Sequence, residues 1–144
     1  MTAPTAGVFL NNGVGLKIGS VDLSSYVSSV TLNRTFDELE VSAMGDTAHK
    51  FVKGLEASTL TVSFFNDTAT GKVLQTLQSN WGTTAAVKLI QFKTATIGAD
   101  NPVYEFSILV NKTTDINGGV GDMATQDITF TINTATTVNP AGTF

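Results

Sequence analysis

The chain of 144 residues contains no cysteine, one histidine and one tryptophan. Without thiols there is no thiol nucleophile, no zinc–thiolate centre and no disulfide staple, a usage that suits a reducing compartment. With a single histidine as well, a transition-metal site has too few nitrogen and sulfur ligands. Charge is also scarce. Charged residues make up 14% of the chain, against about 25% in a typical globular domain. No apolar run approaches the roughly 20 residues of a membrane helix. The first residues, MTAPTAGVFLNNG, have neither the basic start nor the long apolar middle of a secretory signal. No membrane contact and no cofactor are expected.

Scarce charge has a positive reading. Interface cores are depleted in charged residues. A surface poor in charge and rich in Thr and Ser therefore suits a chain that covers much of itself with copies or partners. The plainer reading is a low-charge β-domain with hydroxyl-rich strands. The net charge of −4 is uneven: residues 1–93 hold seven acids and seven bases, while residues 94–144 hold Asp100, Glu105, Asp115, Asp122 and Asp127 against Lys112 alone. The whole imbalance sits in the last third. No basic surface is offered for adhesive nucleic-acid binding.

What the chain does have is alternation. Val30 and Leu32 alternate with Thr31 and Asn33. Leu39, Val41 and Ala43 alternate with Glu38, Glu40 and Ser42, and Leu60, Val62 and Phe64 with Thr59, Thr61 and Ser63. Tyr104, Phe106, Ile108 and Val110 oppose Glu105, Ser107 and Asn111. Ile128, Phe130 and Ile132 oppose Asp127, Thr129, Thr131 and Asn133. Period two with a β-branched bias predicts half-buried strands. AAVKLIQF is apolar on both faces and predicts a more central strand, and VGLKIGS a short strand and turn near the start. One segment breaks the period. In NDTATGKVLQTLQSNWG, Leu74, Leu77 and Trp81 fall at i, i+3 and i+7 beside Val73, the apolar stripe of a helix over about residues 68–81. Asp67 or Thr68 is the expected N-cap, Gly82 the C-terminal glycine, and Trp81 a core residue. The fold class is mainly β: an antiparallel sandwich or barrel with one flanking helix, in a single domain. There are no internal repeats.

Candidate chemistry is thin. Asp46, His49 and Lys50 imitate an acid–base group, but no partner nucleophile and no residues to position them accompany them. GVGLKIG lacks GxGxxG spacing and a following helix, TGKV lacks the rest of a phosphate loop, and DINGGVGD lacks the calcium-loop ligand order. Each reads as a glycine turn. Asn33, Asn66 and Asn111 stand in N-x-T triplets, which without a secretory signal are chance matches. No catalytic and no metal residue is assigned.

The order of pieces in residues 21–67 resembles the front half of the major tail tube proteins of long, non-contractile-tailed bacteriophages. The pieces are Asp22-Leu23-Ser24 with Tyr26-Val27, the run from Asp37 to Thr47 (DELEVSAMGDT), and Phe51 to Leu55 (FVKGL). A flanking helix, NPVYEFSILV and a last strand ending in small residues follow in the same order. The resemblance implies hexameric rings whose inner sheets merge into one closed barrel, stacked into a tube, with no catalytic role. It implies a virion protein made in the host cytoplasm, with tape-measure and tail-end proteins as partners and viral DNA passing through unbound. The same fold serves capsid-decorating and head–tail joining proteins, and a monomeric β-sandwich binding module is a further alternative.

Within that frame, Met44, Gly45, Asp46, Thr47, His49, Lys50, Phe51, Val52 and Lys53 are expected to form a loop lying on a neighbouring subunit. Phe51 and Val52 would anchor it, with Gly45 and Gly54 as hinges. Glu105, Ser107, Asp127, Thr129 and Thr131, with Glu38 and Glu40, are expected to face the lumen. The N-terminal arm (about 1–12) and C-terminal tail (about 134–144) are expected to be ordered by assembly.

Overall fold

The computed structural model describes residues 10–144, so most of the N-terminal arm lies outside the described residues. Ten strands and one α-helix are described: β1 (Gly15–Ile18), β2 (Val21–Asp22), β3 (Val27–Asn33), β4 (Phe36–Glu40), β5 (Phe51–Glu56), β6 (Thr59–Phe65), α1 (Val73–Ser79), β7 (Thr84–Ile90), β8 (Val103–Leu109), β9 (Thr125–Ile132) and β10 (Thr137–Asn139). Eight strands form one antiparallel sheet in the order β2-β1-β7-β8-β9-β6-β3, with β10 also on β8; β4 and β5 form a separate hairpin.

The sheet folds over at β8. This strand bonds β9 only at Ile108↔Ile132 and Leu109↔Thr131. From Glu105 to Val103 its edge is taken by β10 instead. The apolar alternates of both halves meet in one core: Leu16, Ile18, Val87, Leu89, Phe106 and Ile108 from one, Leu60, Val62, Phe64, Ile128, Phe130 and Ile132 from the other. Phe64 and Phe130 are fully buried, each stabilising the sandwich by roughly 1.5–3 kcal/mol. The alternation of the sequence thus holds for β6, β8 and β9. β7 is central between β1 and β8. It buries Ala85, Val87 and Leu89 on one face; on the other, Ala86 is exposed, Lys88 is half-buried and Ile90 is fully buried.

Two expectations fail. The helix is shorter than the predicted 68–81. The Asp67 carboxylate accepts the Ala69 N–H at 2.9 Å, closing a turn ahead of the helix, and Gly71 at φ +73° breaks the chain direction. The helix starts after Lys72, without a side-chain cap. It buries Val73, Thr76 and Leu77, an i, i+3, i+4 stripe one register away from the expected one. Trp81 lies beyond its end and is 56% exposed, so it is not a core residue. Gly82 is left-handed at φ +75° but stands two residues past the C-cap Asn80, with its N–H on the Val110 carbonyl, so it does not cap the helix.

The second failure concerns residues 36–56. The strand expected to half-bury Leu39, Val41 and Ala43 ends at Glu40 and is exposed throughout. Residues 51–56, expected as loop, are β5, paired to β4 at Glu38↔Lys53, Leu39↔Val52 and Glu40↔Phe51. Gly54 is no hinge: a Cβ there would stand 2.8 Å from the Asp37 carbonyl oxygen, at the bulge between Phe36 and Glu38. Glycine permits that close approach. The alternation is real, but the strand pairs only within the hairpin and never joins the sheet.

Candidate assembly surfaces

The hairpin grows from the ends of β3 and β6. Its base is closed by the Ala57 N–H donating to the Thr35 carbonyl at 2.8 Å and by Thr35 Oγ1 donating to the Ala57 carbonyl at 2.6 Å. The Glu56 carboxylate accepts Ser58 Oγ at 2.9 Å and the Thr136 N–H at 3.2 Å. Those bonds, Ser58 foremost, hold its pKa below the ordinary glutamate value.

At the tip, polar groups satisfy one another. Asp46 accepts the Ala43 N–H at 2.7 Å and pairs with Lys50 Nζ at 3.0 Å. The Ala43 N–H first, then Lys50, lower its pKa. Ser42 Oγ accepts the Lys50 N–H at 2.8 Å. His49 Nδ1 bonds the Glu40 carboxylate, and Lys53 Nζ sits 5.5 Å from the Phe36 ring centre. Gly45, at φ +91°, turns the chain back. Thr47 lies exposed between them.

Among the described residues the hairpin's large apolar groups stay open to solvent. Leu39, Val41, Phe51 and Val52 are about half exposed, Leu55 is 82% exposed, and Met44 is fully exposed. A two-stranded hairpin alone is marginally stable in water, and so much exposed apolar side chain, spread over both of its faces, suits an interaction surface. The residues expected as a contact loop are thus together, with Met44 to Lys50 in the tip and Phe51 to Lys53 opening β5.

The outward face of β3, β6 and β9 is a grid of hydroxyls in register. Its rows are Ser29↔Ser63↔Asp127, Thr31↔Thr61↔Thr129 and Asn33↔Thr59↔Thr131. Thr61 and Thr129 hydroxyls stand 3.2 Å apart, and Asp127 accepts Ser63 Oγ and Asn117 Nδ2. Asp127 is the one charged side chain of the grid.

The seven residues expected to line a lumen fall in three places. Asp127, Thr129 and Thr131 share the grid. Glu105 and Ser107 lie on β8, opposite buried Phe106 and Ile108, with Glu105 3.9 Å from Lys88 Nζ. Glu38 and Glu40 are on the hairpin. Beside Glu105, the C-terminal tail crosses the chain's own sheet: Lys88 Nζ donates to the Thr143 carbonyl at 2.9 Å, and Lys17 Nζ sits 4.9 Å from the Phe144 ring centre. Ser29, Thr31, Asn33, Thr59, Thr61 and Ser63 complete the face. Their polar phase is visible in the sequence, but the register that aligns them with Asp127 is not.

Among the described residues no group of His, Cys, Asp or Glu is placed to hold a metal ion. None of the described helices is long and apolar enough to cross a membrane. The DINGGVGD segment is a turn in which Asp122 accepts the Gly119 N–H.

No protein-family model matches the chain, and no curated protein matches it. Solved structures do. A chain of the virion of a native gene transfer agent particle superposes with a TM-score of 0.73 at 8% identity, over 92% of this chain and 99% of that one. A chain of the SPP1 tail tube follows with a TM-score of 0.69 at 9% identity, over 92% and 79%. A chain of the tail of an empty gene transfer agent particle, with C6 symmetry, gives 0.58 at 10% identity, over 79% and 82%. At such identities the likeness speaks for architecture alone: this chain has the fold of tail-tube subunits.

Proposed function

We propose that the chain is a structural subunit of a phage tail tube. Hexameric rings would close by joining inner sheets and stack into a conduit for the genome. The observation that carries this reading is the hairpin of residues 36–56, whose strands pair only with each other among the described residues and which exposes apolar side chains on both faces. The fold and the C6 symmetry of a similar tail support it. The outer edge of β3, which ends the sheet order, supplies the open strand edge that ring closure would cover.

In the ring, the grid of β3, β6 and β9 faces the lumen. Hydroxyls and amides offer DNA phosphates no cation to bind. Asp127 repeats around each ring and sets a negative potential. Glu105 adds less, because Lys88 stands against it. The subunit performs no catalysis and belongs to the virion tail after synthesis in the bacterial cytoplasm. Its partners are its own copies, the tape-measure protein and the tail-end proteins. Negative-stain microscopy and light scattering of the purified chain at rising concentration test this. Six-fold rings and tubes are expected. A monomer at every concentration and salt, even with tail-end proteins present, overturns it.

A further inference from the structure

The loop of residues 111–124 is tied down near both ends. The Thr114 N–H donates to Oε1 of fully buried Gln126 at 2.9 Å, and Asn66 Nδ2 donates to the Asp115 carbonyl at 3.3 Å. The Asn66 N–H donates to the Ala124 carbonyl at 3.0 Å. Between those ties, among the described residues, a single side chain fastens residues 116–123 to the sheet. Asn117 Nδ2 donates to Thr125 Oγ1 at 2.9 Å and to Asp127 Oδ2 at 3.3 Å. The residue after Asn117 is glycine. Gly118 is exposed, belongs to no strand and sits at φ +129°, a conformation that suits only glycine. Its N–H donates to no acceptor among the described residues.

We propose that Asn117 is a site of spontaneous deamidation, with the Gly118 amide and water as the reactants, and that its conversion unfastens residues 116–123 from β9. The Gly118 nitrogen attacks Asn117 Cγ as it gives up its proton. The N–Cγ bond forms, the Cγ–Nδ2 bond breaks, and the departing nitrogen takes up that proton and leaves as ammonia. Water then opens the succinimide at either carbonyl, leaving aspartate or isoaspartate. No Cβ on Gly118 hinders the attack. The chain's other Asn-Gly pair, Asn12-Gly13, is more firmly held: Gly13 is half-buried and its carbonyl accepts the Lys93 N–H at 2.8 Å. The consequence at Asn117 follows from its partners. An ionised carboxylate accepts hydrogen bonds and cannot donate them. The bond to Asp127 is lost, and two like charges that repel are left side by side. The conversion is a property of the single chain and does not rest on the tube reading. Its effect on a lumen does: each subunit gains a negative charge beside Asp127.

The test is to hold the purified chain warm in mildly alkaline buffer for days and map its peptides by mass spectrometry. The peptide with Asn117 should convert severalfold faster than the one with Asn12, with isoaspartate among the products. Asn117→Gln, whose longer side chain closes a ring far more slowly, should stay unconverted. Ile116 and Val120 are essentially fully exposed, so cleavage beside them by thermolysin reads how freely the backbone moves. Cleavage there should be severalfold faster in the aged chain, and equally fast in fresh Asn117→Asp. Conversion at Asn117 no faster than at Asn12, or a converted chain cut no faster than the fresh one, overturns the proposal. Neither result bears on the tube reading, which fails separately if the fresh chain forms neither rings nor tubes.

Discussion

Replacing Phe51 by Ala separates folding from assembly. Phe51 opens β5 opposite Glu40 and is 54% exposed, with the His49 ring 6.4 Å away as its aromatic neighbour. The isolated chain therefore loses little, and a surface change of this kind stays within about 0.5 kcal/mol. The assembled state loses more. A buried aromatic covers about 150–250 Å², so covering the exposed half removes about 100 Å² from water. At about 25 cal/mol per Å² that is about 2.5 kcal/mol per contact. Tenfold per 1.4 kcal/mol makes this a roughly 60-fold weaker contact. The critical concentration for tube formation, read by sedimentation, should rise by at least that factor because every subunit carries the change. The melting temperature of the unassembled chain should barely move. A large drop in that melting temperature with unchanged critical concentration would refute the reasoning and make Phe51 a core residue.

Asp127→Lys should leave tubes assembling but slow genome ejection at low salt, since a cation on the hydroxyl grid binds phosphate in a salt-dependent way. Adding Glu105→Lys should worsen this only modestly, and normal ejection by the double variant at low salt would end the lumen argument. Asp22, Asp46, Glu56 and Asp67 all have pKa values lowered by the fold. At Asp22 burial opposes the charge, but Lys93 and Ser24 outweigh it. The fold favours the ionised forms, so their stabilisation is present above the ordinary carboxyl range and lost as pH falls through the lowered values. Melting temperature should hold above pH about 5 and fall below about 4, and a flat profile down to pH 3 would contradict this. Asn101→Ala should destabilise the monomer by roughly 1–3 kcal/mol, because the buried Asn101 amide accepts the Phe92 N–H and donates to the Phe92 and Thr96 carbonyls. A denaturation midpoint that did not shift would contradict the structural role.

The sandwich strands were legible because β6, β8 and β9 each have one face in the core, and the core imposes period two. The same period misled in β4, where Leu39 and Val41 alternate with Glu38 and Glu40 without facing any core. Alternation reports that a strand has two different faces, not that its own chain covers one of them. Trp81 misled for a related reason: a stripe at i, i+3 and i+7 presumes that the helix lasts, and Gly71 with the Asp67 turn shortened it. Gln126 and Asn101, both buried amides, carried no signal, since each takes its role from the folded path of a neighbouring loop: Thr114 N–H on Gln126, and Phe92 and Thr96 on Asn101. The lumen set was scattered because cross-strand register is non-local. Nothing near Asp127 in the chain tells that Ser63 and Ser29 share its row.

The hairpin's polar groups bear on why such a surface can exist on a free subunit and still be covered later. Burying a charge is costly unless it arrives paired. Asp46 arrives bonded to the Ala43 N–H and Lys50, and Glu40 arrives bonded to His49 and Ser42. These bonds also hold the tip in one shape around Gly45, so less ordering remains to be done on docking. What the hairpin leaves unsatisfied is apolar: Leu39, Val41, Met44 and Val52, which gain from leaving water wherever a complementary surface is offered. Charge that is already paired costs less to cover, and apolar area that is locally unsatisfied drives association. Breaking the internal pair with Asp46→Ala should therefore weaken assembly even though it adds no clash. It frees Lys50 to be buried unpaired and loosens the tip. Equal weakening by Asp46→Ala and by Asp46→Ala/Lys50→Ala would show that tip shape dominates, whereas partial recovery in the double variant would show that the unpaired charge does. Unchanged assembly in both would refute the role given to this pair.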